Sequence, residues 1–165
     1  MKDQWEELLT VLHKMLSVYE AILNLSQEKH KILVAAKSSE LEKVTKQEEM
    51  LILQIGKLED AREQLVGKLM MAHGITDGDF SLAELREIAK PDVVEQLEIF
   101  GKKFGSIMEE MVPLNNLNTE LIKQALGFIN YNMNLLSQTA VGPTYAAKGQ
   151  SNEQAPQRKV FDARV

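Results

Sequence analysis

Three histidines, His13, His30 and His73, are the side chains best suited to hold a metal ion or carry a phosphoryl group. They lie far apart, and no two share the i, i+4 spacing that sets two imidazoles on one helix face. No HExxH or ExxH pattern accompanies them, so the sequence offers no metal site. His13 alone invites comparison with a phosphotransfer histidine on a bundle, but a single histidine beside an apolar stripe is more often a rim residue. Asp77-Gly78-Asp79 looks at first like a calcium loop. Counted from Asp77, the sixth position is Leu82, where glycine is needed, and the twelfth is Ile88, where glutamate is needed. The stretch reads instead as a turn followed by a helix cap. No glycine-rich phosphate loop and no GxSxG motif is present. There are no cysteines, hence no thiol nucleophile, thiolate metal site or disulfide. The carboxylates are scattered among lysines, as on solvated helix faces. The expectation is a protein that is not an enzyme, with no cofactor and no metal. It must act through apolar surface.

Composition points the same way. The chain has 165 residues, enough for one domain with a real core. Hydrophobic residues make up 44% but aromatic ones only 5%, which suits a helical bundle better than a β-sandwich. The net charge of -5 is spread with both signs mixed, which argues against nucleic acid and against an anionic membrane surface as targets. The start, MKDQWEELL, has acids where a secretory signal needs an apolar run. No stretch reads as long and apolar enough to span a bilayer. Together these predict a cytoplasmic protein.

The elements follow from periodicity. Trp5, Leu8, Leu12, Met15, Tyr19 and Ile22 recur at helical spacing, widened by Leu9, Leu16 and Leu23, and predict a helix over 2–36. At 1.5 Å per residue it would span about 50 Å. Ser39 and Glu42 form a capping-box pattern for a second helix reaching His73, with Gly74 as its C-cap candidate. The link is so short that the two helices must form an antiparallel hairpin, which a third helix must cover. Leu41, Val44, Leu51, Ile55, Leu58, Leu65, Leu69 and Ala72 mark the seam of the second helix. Two seam positions are charged, Glu48 and Arg62. They are too far apart to pair on one helix, and can snorkel, set register against the first helix or mark weak packing. Ser81 and Glu84 form another capping box, for a short helix ending before Pro91. Pro91 then suits the first turn of a long helix. Gly101 and Gly105, four apart, mark a thin or flexible segment of it. Pro113 predicts a kinked continuation, with a clean break as the alternative.

The stretch 112–136 stands out. Leu114, Leu117, Leu121, Ala125, Phe128 and Leu135 form one apolar line, and Ile122, Leu126, Ile129 and Met133 lie beside it. The face is wider than a coiled-coil seam. The other face carries asparagines and only two charges, Glu120 and Lys123. Such a helix needs neighbours, in this chain or in another. The eight methionines fit core filling, and also a surface that adapts to partners. After Gln138 the chain loses its period and becomes rich in Gly, Pro, Ala, Gln and Ser. This predicts a helical domain over 1–138 and a disordered tail over 139–165. Tyr145 and Val160-Phe161 are hydrophobic islands in that tail.

The order of these features resembles the FlgN family of flagellar export chaperones. It comprises a long hairpin with EEMLILQIGKLEDAR (48–62), the run L-N-x-x-N-x-x-L-I from Leu114 to Ile122, and a Gly/Pro tail with Tyr145-x-x-x-Gly149-Gln150. Ala146 follows the tyrosine where glycine is common in relatives. The resemblance covers nearly the whole chain. It implies a cytoplasmic chaperone of type III secretion that holds hook-associated proteins by their terminal helices before export. It also implies that Leu114, Leu117, Leu121, Ile122, Phe128 and Ile129 contact the client and that Tyr145 contacts the export gate membrane protein. The predicted class is all-α: an antiparallel hairpin plus a third long helix in a coiled-coil-like bundle. The rival is a self-associating structural coiled coil without a client. A lipid-surface helix fits less well, because flanking Lys and Arg are missing.

Overall fold

The computed structural model describes residues 2–75 and 81–140. They form four helices: α1 (Lys2–Val34), α2 (Ser38–Ala72), α3 (Leu82–Ile88) and α4 (Pro91–Ala140). The all-α class expected from the sequence is the class observed. The chain divides into two units, Met1–Leu126 and Gly127–Val165. The described part of the second is the helical stretch 127–140.

In the first unit α1 and α2 form the antiparallel hairpin, their backbones close along their length. Trp5, Leu8, Leu12 and Met15 from α1 meet Leu65, Val66, Leu69 and Met70 from α2, and Leu85, Val93 and Leu97 close the cluster from α3 and α4. Each is apolar and buried, so hydrophobic transfer holds this end together. By length and composition, Gln4–Val34 is apolar enough to cross a membrane, contrary to the expectation above. Its apolar side chains are the ones that build the core, which is why a bundle helix passes that test.

The turn between α1 and α2 spends only residues 35–37. The Lys37 N–H donates to the Ile32 carbonyl (3.1 Å) and the Ala36 N–H to the Leu33 carbonyl (3.2 Å), a Schellman pattern. That pattern needs a left-handed residue, and Ala36 supplies it at φ 54°. An L-residue there is strained, so Ala36→Gly is expected to raise stability by about 0.5–1 kcal/mol, read as a higher urea midpoint. Gly74 plays the same part after α2, at φ 76°, with the Ile75 N–H on the Met70 carbonyl. The Ser39–Glu42 capping box does not form. Helix α2 begins at Ser38, placing Ser39 inside the first turn, and its N-cap Lys37 makes no side-chain cap bond. The Ser81–Glu84 box does form, with both reciprocal hydrogen bonds present. Asp77-Gly78-Asp79 lies outside the described residues.

Helix α4 runs without interruption through Pro113, so the clean break is excluded. Helix α4 runs parallel to α1: Tyr19 meets Phe104, Ile22 meets Met111, and His30 meets Asn118. Its backbone stands further from α1 than α2 does, and long side chains bridge the gap. The Tyr19 and Phe104 rings sit edge to face at 5.1 Å, and Phe100 stacks on Phe104 at 5.8 Å. Gly101 allows α3 to approach, since a Cβ there would lie 3.2 Å from the Leu82 side chain. Gly105 has open space beside it.

Candidate functional site

The apolar residues of α4 divide sharply by exposure. From Val93 to Met111 the large ones are buried or half-buried, except Ile99. From Val112 on, the balance reverses. Nine of the fifteen exposed large hydrophobic side chains among the described residues belong to this part of α4. In the first unit Leu117 and Leu126 are exposed, while Leu114, Leu121 and Ile122 are half-buried. In the second unit Phe128 is 68% exposed and Ile129 is 51% exposed, and Tyr131 and Met133 are exposed as well. From Lys123 to Gln138 every side chain is exposed except that of Asn132, which is half-buried and bonds the Phe128 carbonyl of its own helix. Of the six α4 residues implied as client contacts, three are therefore open and three partly packed. Tyr145 and Val160-Phe161 lie outside the described residues.

An exposed apolar run along a helical stretch with two charges, Glu120 and Lys123, is costly in water and marks an interaction face. Among the described residues, Lys123 pairs with Glu120 along it at 2.9 Å. Its chemistry is adhesion through apolar side chains.

Beneath the first-unit part of this face lies a polar cluster that periodicity did not reveal. Asn118 is 1% exposed, so it is buried although asparagine is a polar residue of α4. Its Nδ2 donates to the Ser26 carbonyl at 2.9 Å. Its Oδ1 therefore faces His30 at 2.9 Å, which requires the hydrogen to sit on His30 Nδ1. Ser26, also 1% exposed, gives its one proton to Asn115 Oδ1 at 3.0 Å and lies 3.4 Å from Glu48 Oε1. Lys29 Nζ reaches Glu48 Oε2 at 2.6 Å. So Glu48 pairs across the hairpin with a lysine of α1. Arg62 instead pairs with Glu59 on its own helix. A signal for this cluster was present. Ser26 continues the Tyr19–Ile22 line, Glu48 sits in the α2 seam, and Asn118 lies between Leu114 and Ile122. Each is a polar residue inside an apolar stripe.

A second feature is a half-open cleft of about 460 Å³ between Leu12 and Tyr19 of α1, Val66 of α2, Leu85 of α3, and Phe104 and Gly105 of α4. The Arg62 guanidinium holds the Glu59 carboxyl below its usual range by a direct hydrogen bond. Burial raises the Tyr19 phenol, and the nearby Glu59 charge adds to that. Both shifts keep the groups in the forms they already hold at neutral pH, a structural role. Among the described residues no three His, Asp or Glu side chains are grouped to hold a metal ion.

The model of the FlgN protein family matches residues 1–153. The chain is also 25% identical over 125 residues to YvyG, an uncharacterized protein of Bacillus subtilis (strain 168), covering 76% of each chain. No solved structure matches.

Proposed function

The chain belongs to the FlgN family, and on that premise we propose that it holds the terminal helices of hook-associated proteins in the cytoplasm and passes them to the export gate. The coarser part needs no proposal: the family is one of flagellar export chaperones. The observation that carries the finer part is the exposed apolar run of α4, with Leu117, Phe128 and Ile129 open and Leu114, Leu121 and Ile122 beside them. A client terminus without its own fold can lay an amphipathic helix along such a surface. Burying four to six Leu, Ile or Phe side chains yields roughly 6–15 kcal/mol gross. Association and ordering consume a comparable amount, which leaves an affinity of about micromolar to nanomolar. That range suits a carrier that must let go without hydrolysing a nucleotide. Tyr145 is assigned to the export gate membrane protein by family likeness alone.

The test is a titration of purified hook-associated proteins, intact and with their terminal helices removed, against the full chain. Saturable binding that vanishes on truncation is expected. Equal binding of both forms, or of neither, overturns the client assignment. Self-association is the alternative, favoured only if the exposed run proves covered by a second copy in solution.

A further inference from the structure

We propose that the asparagines of α4, with Ser26, His30 and the Lys29–Glu48 pair, act as a register lock: they decide which turn of α4 sits on the hairpin, and so which residues up to Leu126 face a client. This rests on the client reading above and adds a specificity-determining part to it. The need for a lock follows from the spacing of α4. A slide of seven residues would put Ile107 in the place of Phe100, Leu114 in that of Ile107 and Leu121 in that of Leu114, apolar for apolar. Apolar contact has no direction, so along α1 it discriminates poorly between such registers. Against α3 only Gly101 resists, where Met108 would meet the Leu82 side chain. Asn118 does discriminate. The same slide would bring it to the place of Met111, among Val18 and Ile22, where its amide would find no partner. It would also bring Ala125 to the place of Asn118 and leave His30 and the Ser26 carbonyl without their present bonds. Hydrogen bonds are directional, and these join α4 to α1 at one height only: the Ser26 hydroxyl donates to Asn115 Oδ1, Asn118 Nδ2 donates to the Ser26 carbonyl, and Asn118 Oδ1 accepts from His30 Nδ1. Glu48 fixes the height of α2 through Lys29 in the same layer. A buried polar group that sets register at some cost in stability is an established device in helical coils. The lock comes just after Pro113, which leaves the Glu109 carbonyl without its helical donor and makes this stretch the easiest to shift.

The test uses spin labels at two exposed positions, Thr10→Cys on α1 and Glu120→Cys on α4, in a chain with no cysteines of its own. A seven-residue slide moves the second label by about 10 Å along the axis. The parent should give one distance. Asn118→Leu, which keeps the volume and removes the polarity, should give a second distance displaced by about 10 Å and a two- to tenfold weaker affinity for the client terminal helix. Asn118→Ser, which keeps a hydroxyl donor for the Ser26 carbonyl, should restore the single distance. A single parent-like distance in Asn118→Leu overturns the lock, whatever happens to the melting temperature. Two distances with unchanged client affinity overturn the link from register to client face. If the parent itself binds no terminal helix, the client reading fails while the distances still decide the lock.

Discussion

Phe128→Ala combined with Ile129→Ala is expected to weaken binding of a client terminal helix by about 100-fold or more, the sum of two buried side chains at roughly 1.5–3 kcal/mol each. The melting temperature should change little, because both side chains are more than half exposed in the free protein. The pair therefore separates binding from folding. Leu121 and Ile122 are a poorer choice: they are half-buried, and their truncation would disturb packing as well as binding. Calorimetric titration gives the affinity and a thermal melt gives the stability. An affinity within about threefold of the parent would remove Phe128 and Ile129 from the client face, since burying even one of them is worth more than that.

The largest expected effect on stability concerns the polar layer. Lys29→Met should destabilise the fold by about 2–3 kcal/mol, because it leaves the Glu48 carboxylate enclosed without its cation. The figure lies below that of a fully enclosed pair, since water still reaches 18% of the Lys29 side chain. Adding Glu48→Leu should recover most of the loss, as an apolar residue needs no partner in the α2 seam. Urea denaturation of the two single variants and the double variant measures this directly. A double variant no better than Lys29→Met alone would mean that the lysine stem, and not its charge, does the stabilising.

These two predictions also show what could and could not be read from the chain alone. The helices were legible because their apolar stripes keep a helical period, and the hairpin because three residues cannot join helices in another way. The surplus on α4 was legible too, as a run with too few charges for a solvated face. The layer under it was not. Helical wheels place Ser26, Glu48 and Asn118 on buried stripes, but which polar residue meets which depends on the vertical offset between helices. A single stripe carries no information about that offset, because apolar contact has no direction. The failed cap at Ser39 has a similar origin. The left-handed Ala36 brings the chain round so that α2 starts two residues early, with Lys37 and not Ser39 as its N-cap, and the turn overrides the local pattern. Asn115 and Asn118, read as part of a motif shared with a chaperone family, face the hairpin and position the helix that carries the motif.

The account depends on the later part of α4 offering apolar surface that the chain does not cover itself. Hydrogen exchange over 112–138, with and without a terminal helix from a hook-associated protein, measures this most directly. Within that range the amides of 123–138, where the side chains are exposed, should exchange quickly in the free protein and slow by tenfold or more with the client, while those of Leu8, Leu69 and Leu97 stay slow throughout. Equal and strong protection of 112–138 in the free monomer, unmoved by any client helix, would contradict it.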